Sequence, residues 1–148
     1  MATYTGGFAT GDVLTAAIMS ALGGAWNSYT PTLTQSGAVS KTVTYAKYLQ
    51  FGKLFVAAFE LTVTGSGTSG QPIYIGLPIT GAAGVTAVGT AWLFDSSAGV
   101  HYVGGFQRSS TTAAGIIVNG YGSFVGASPS LALASGDNLR GVMLGEVA

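Results

Sequence analysis

Leu54-Phe55-Val56-Ala57-Ala58-Phe59-Glu60-Leu61-Thr62-Val63 is the stretch whose reading decides the fold. Its apolar residues recur with period two rather than 3.6, which marks a β-strand. Phe55, Ala57, Phe59, Leu61 and Val63 share one face. Leu54, Val56 and Ala58 share the other, which turns polar only at Glu60, Thr62 and the following Thr64. A strand that is apolar on both faces needs cover on both. A second layer of the same chain supplies one cover, and a neighbouring subunit is the expected source of the other. Leu54, Val56, Phe55 and Phe59 are therefore candidate subunit-interface residues.

The same pattern extends outward from this strand. Upstream, Val43-Thr44-Tyr45-Ala46-Lys47-Tyr48 alternates and Gly52-Lys53 marks a turn. Downstream, Gly65-Ser66-Gly67-Thr68-Ser69-Gly70 is a loop before Ile73-Tyr74-Ile75-Gly76-Leu77-Pro78. Val88, Trp92 and Phe94 lie on one face of the next segment, and Asp95-Ser96-Ser97-Ala98-Gly99 is a turn cluster. Val100, Tyr102 and Phe106 alternate with His101, Val103 and Gln107. Asn119-Gly120, after Ile116-Ile117-Val118, predicts a type I′ hairpin. Leu131–Ala134 and Leu139–Val147 read as the last strands, split by Ser135-Gly136-Asp137-Asn138. Glycines inside strands (Gly76, Gly89, Gly104, Gly105, Gly115) predict bulges or close backbone approaches. Short strands with regular turns predict an all-β domain, an antiparallel sandwich of jelly-roll type, over residues 26–148.

Residues 1–25 read differently. Met1 to Ala9 has the look of an extended arm. Thr10 is placed to cap a short α-helix, with Asp12 in its first turn. Leu14, Ile18 and Leu22 fall on one stripe, and Gly23-Gly24 stops the pattern. This helix is the expected attachment element, either inserted into a neighbouring protein or bundled with symmetry mates. The competing expectation is a helix packed across one end of the sandwich.

Composition narrows the function. The 148 residues suit one domain with a sizeable core. The formal net charge is zero and only 7% of residues are charged, against an ordinary share of about 25%. Five scattered Lys and Arg residues give no footprint for nucleic acid. With 48% apolar residues, such a surface favours association, and the chain reads as a subunit of an assembly. The absence of cysteine removes disulfides and thiolate metal sites. No secretory signal stands at the start, and no apolar run reaches the roughly 18 residues of a membrane span.

Chemical motifs are sparse. Gly65 to Gly70 is a literal G-x-G-x-x-G, but a strand follows it instead of the helix that a dinucleotide site needs. His101, the lone histidine, has Asp95 and several serines nearby in sequence, yet no nucleophile elbow accompanies them. Asp12, Glu60, Asp95, Asp137 and Glu146 are separated, without metal-ligand spacing. Glu60 is expected either to stand at the strand's exiting edge, to pair with Lys47 or Lys53, or to form an ion pair with a neighbouring subunit. Trp26, Tyr29, Tyr45, Tyr48, Tyr74, Trp92, Tyr102 and Tyr121 are candidates for a sugar platform, with packing as the competing role. No catalytic residue, cofactor or metal is expected.

Trp26-Asn27-Ser28-Tyr29-Thr30-Pro31-Thr32-Leu33-Thr34, then Tyr45-Ala46-Lys47-Tyr48 to Gly52-Lys53, then Gly65-Ser66-Gly67-Thr68 and Ile75-Gly76-Leu77-Pro78, together resemble a virion protein family of tailed bacteriophages. Its members are common in phages of actinobacteria, as minor tail, tail-fibre-type or short appendage proteins. The resemblance runs from Gly11 to Pro78 and, more loosely, over Ser135 to Leu139. Family chains usually end in a Tyr-Glu pair, where this one has Gly145-Glu146. The resemblance implies a non-enzymatic virion protein made in the host cytoplasm. It also implies a homotrimer that contacts other virion proteins, with a host-surface glycan as a further candidate partner. A head decoration protein that stabilises the capsid is the second expectation, and a small cell-wall glycan hydrolase the third.

Overall fold

A computed structural model describes Val13, Thr15, Ala16 and residues 25–84 and 88–148. The expected arm, and the stripe of Leu14, Ile18 and Leu22, lie outside the described residues. Ten strands follow one another: β1 (Asn27–Ser28), β2 (Leu33–Gln35), β3 (Gly37–Ala38), β4 (Lys41–Phe51), β5 (Leu54–Val63), β6 (Tyr74–Gly76), β7 (Val88–Asp95), β8 (Val100–Arg108), β9 (Ala113–Ile117) and β10 (Asn138–Glu146). They form one sheet in the order β1-β4-β5-β10-β7-β8-β9-β6-β2-β3, and every paired neighbour is antiparallel.

The sheet curls, so that one sheet makes both layers of a sandwich. The inward face of the long strands carries Phe59, Leu61 and Val63 of β5, Leu93 of β7, Phe106 of β8, and Leu139 and Met143 of β10. These meet Leu33, Ile75, Ala114 and Ile116 from the short strands in one core. The curl needs close approaches. A Cβ on Gly141 would run into the Phe106 ring, so glycine is what lets Phe106 lie against Phe59, 5.7 Å between centroids. The expected all-β antiparallel class is what the chain adopts.

One irregularity re-aims a strand. The β4–β5 register slips between Val43 and Tyr45. Strict alternation would place both on one face. The extra residue instead leaves Val43 packed against the core, while Tyr45 stands opposite Glu60 and is exposed. β-bulges commonly redirect side chains in this way.

Two local expectations are corrected. Gly120 has φ 86°, but Asn119 does not have a positive φ, so the turn is not type I′. A wide loop follows instead, and the chain returns to β9 only at the Ile117–Phe124 bridge. Leu131–Ala134 forms no strand. Leu131 and Leu133 are buried nonetheless, because the side-chain amide of Gln35 takes up the backbone hydrogen bonds there.

Candidate functional site: the outer face of the sheet

The alternation of β5 sorts the four candidate interface residues. Phe55 and Phe59 are 0% and 3% exposed and belong to the chain's own interior. The inward face is closed by the curled sheet, so these two have no surface to offer a neighbour. Leu54 is 49% exposed and Val56 is half-buried. Both stand on the outward face.

Strand register shows what surrounds them. Leu49 of β4, Val56 of β5 and Leu144 of β10 form one row. Lys47, Ala58, Val142 and Thr90 form the next. Tyr45, Glu60, Arg140, Trp92 and Val103 form a third, and Phe94 and His101 pair beyond it. The first row runs across β4, β5 and β10, the second also reaches β7, and the third also reaches β8. Val142, Leu144 and Val103 are exposed to 40%, 41% and 64%. The result is an apolar surface interrupted in the second and third rows by Lys47, Thr90, Glu60 and Arg140.

The aromatic residues on this face are already engaged with one another. Trp92 and Phe94 stack at 6.1 Å, and His101 lies 5.1 Å from Trp92 and 4.6 Å from Phe94. The Arg140 guanidinium covers Trp92 at 3.8 Å from the ring centroid, a cation–π contact. A groove of about 410 Å³ runs between Tyr45, Glu60, Trp92, Val103 and Arg140. Glu60 does not pair with Lys47 or Lys53: among the described residues its side chain makes no hydrogen bond or ion pair. Lys53 lies 3.9 Å from Glu146 instead, and Lys47 lies over the Tyr45 ring. Register explains the difference, since Lys47 is paired with Ala58 and Lys53 lies in the β4–β5 turn.

His101 and Asp95 do not come together. His101 pairs with Phe94 and Asp95 with Val100, one position on, so the two side chains leave opposite faces of the β7–β8 ribbon. His101 serves as a stacking partner. Asp95 closes its turn, accepting hydrogen bonds from the Ser97 hydroxyl at 2.7 Å and from the Ser97 and Ala98 amides at 3.0 Å each. Burial pushes its carboxyl up, but these three donors outweigh burial and hold it below the ordinary value. Asp137, fully buried, accepts from the Ser96 amide and hydroxyl and from the Ala134 amide. Both carboxylates hold turns together at one end of the sheet.

The tyrosines and tryptophans do not form one platform. Tyr29 meets Tyr48 edge-on at 6.0 Å, Tyr74 meets Phe124 at 5.5 Å, and Trp92 lies beneath Arg140. Tyr121 stands apart, half exposed, over a second groove of about 700 Å³ between β8 and the loop after β9. Sequence reasoning missed this groove and the Trp92–Arg140 contact. The even face of β7 was visible, but nothing local placed it beside β10. Among the described residues no group of His, Asp and Glu is arranged to hold a metal ion, and no helix is long and apolar enough to cross a membrane. A comparison with protein families, characterised proteins and solved structures finds no match for this chain.

Proposed function

We propose that this chain is a non-enzymatic structural subunit of a tailed-bacteriophage particle, a homotrimer of tail-fibre or appendage type. The observation that carries self-association is the apolar outer face of β4, β5, β10, β7 and β8. Leu54, Val142, Leu144 and Val103 stand exposed on it to 49%, 40%, 41% and 64%. Exposed apolar side chains grouped in this way and rimmed by polar residues mark interaction surfaces. Glu60 and Arg140 are neighbours of opposite sign within it. A neighbouring subunit can meet both charges with groups of opposite sign. The resemblance over Trp26–Thr34, Tyr45–Lys53 and Ile75–Pro78 is the support for a phage particle.

Two measurements test the two parts of this reading. Sedimentation of the full chain should give a mass near three chains. Val142→Lys with Leu144→Lys should lower it to one chain without loss of the β signal, because both side chains point outward. A stable wild-type monomer at roughly tens of micromolar, where contacts of ordinary strength associate, overturns the assembly. Antibody labelling of purified particles in negative stain should decorate the tail. Label on the head shell would make the protein a capsid decoration subunit, and unlabelled particles would end the virion reading.

A further inference from the structure

A ring of three cannot be closed by a face laid on its own copy. A face that meets itself is related by a two-fold axis and makes a dimer, whereas a trimer needs two different surfaces on each chain. The outer face of β4, β5, β10, β7 and β8 is one of them. The other has to be apolar, and it has to be left uncovered by its own chain.

Residues 1–24 meet both requirements. Leu14, Ile18 and Leu22 recur every four residues, the spacing of one helical stripe. Such a stripe is about 12 Å long, close to the roughly 10 Å across three neighbouring strands such as β4, β5 and β10. Val13, Thr15 and Ala16, the described residues of this segment, are all exposed. The segment also joins the sheet beside the face. Asn27 of β1 lies opposite Tyr48 and the two strands are antiparallel, so the chain before it heads toward the Leu49–Phe51 end of β4. Phe51 pairs there with Leu54. Trp26, Phe51, Leu54 and Leu144 are exposed to 49%, 54%, 49% and 41%, so the face is most apolar at the corner where residues 1–24 leave it. Charge agrees with this. The one charged side chain in residues 1–24 is Asp12, and the face carries Lys47 and Arg140 against Glu60. From this we infer that residues 10–22 of each subunit lie on the outer face of the next, with Leu14, Ile18 and Leu22 against Leu54, Val56 and Leu144. The inference rests on the assembly reading and names its contact. A segment folded back on its own chain would instead cover the face and leave nothing to associate.

The chain has no cysteine, so introduced cysteines report contacts between chains without background, and a disulfide forms only where two Cα atoms come within about 7 Å. Full-length Ile18→Cys is coexpressed with full-length Leu144→Cys under a different tag, and the purified assembly is oxidised. Leu14→Cys and Leu22→Cys are each paired with Leu54→Cys and with Leu144→Cys in the same way. At least one mixed pair should give a linked dimer of the two tags in excess over both same-variant dimers. Full-length Leu14→Asp with Ile18→Asp should sediment as one chain instead of three, with its β signal intact. The proposal is overturned if no mixed pair links. It is overturned if Ile18→Cys links chiefly to itself, which would bundle the segments together, or if Leu144→Cys does, which would set face on face. A double-Asp variant that stays trimeric, or that loses its β signal, overturns it as well. In each of these cases a wild type of three chains leaves the assembly reading standing, whereas a wild-type monomer removes both.

Discussion

At the scale of single residues, the most consequential polar group is Gln35, 1% exposed. Its side-chain nitrogen donates to the carbonyls of Gln71 at 2.9 Å and Leu131 at 2.8 Å, and its oxygen accepts from the Leu133 amide at 2.9 Å. One amide thus ties two irregular segments to β2. A Cβ at Gly67 would strike its oxygen, so the loop glycine is required by the amide beneath it. Gln35→Ala orphans one buried donor and two acceptors, and a loss of about 2–4 kcal/mol is expected in denaturant melts. Gln50→Ala, which removes an exposed bond to the Gly52 carbonyl, should stay within about 0.5 kcal/mol. Tyr29 makes the opposite case. Its hydroxyl is buried without a partner among the described residues, and burial pushes its pKa well above the usual phenol value. The folded state therefore holds a proton that the unfolded chain releases above about pH 10, so stability is full below that pH and falls as pH rises beyond it. Tyr29→Phe should melt no lower than wild type at neutral pH and should flatten the alkaline decline. None of the Gln35 contacts is legible in Leu33-Thr34-Gln35-Ser36, because the partners lie 36 to 98 positions away.

Among the elements, β5 was the most readable, because side-chain alternation is a local property of the chain. Its odd residues form the interior and its even residues the outer face, as the pattern requires. The sequence left open which apolar face would be covered by the chain itself, since that depends on the curl that brings Leu33, Ile75, Ala114 and Ile116 over Phe59, Leu61 and Val63. The bulge in β4 was equally hidden, because one inserted residue leaves the alternating pattern intact on either side of it. The Asn119-Gly120 signal failed for a related reason: a turn motif fixes a hairpin only if strands flank it closely, and here Phe124 packs against Gly115 and draws the chain into a wider loop. The two faces of β5 should respond in opposite ways to substitution. Phe55→Ala opens a cavity in a fully closed interior, and about 3–5 kcal/mol of stability should be lost. Leu54→Ser removes an exposed side chain, so thermal melting of the dissociated chain should move little while self-association weakens. Paired melting and sedimentation of both variants check this. A large loss of stability in the dissociated chain on Leu54→Ser would show that the outer face is structurally required within one chain.

At the scale of the whole molecule, the question is what the residues before the first strand contribute. Among the described residues the buried core runs from Leu33 to Met143, and the strands lie within 27–146. Removing residues 1–24 should therefore leave a β domain with an unchanged circular dichroism spectrum and a melt close to that of the full chain. The removed segment carries the stripe of Leu14, Ile18 and Leu22, too small to bury itself, so its apolar side needs a partner. If that partner is another protein of the particle, the truncated chain folds but is not incorporated. Leu14→Asp with Ile18→Asp in the full chain should behave likewise, because two charges forced into an apolar contact find no counter-charge. The competing role, a helix lying as a lid on the sandwich, predicts the reverse. Truncation would then expose apolar surface, lower stability by about 3 kcal/mol or more, and cause aggregation. Melting curves of the truncated and full chains, read beside incorporation into particles, decide between the roles. A melt that drops sharply on truncation assigns Leu14, Ile18 and Leu22 to the core and removes the attachment role.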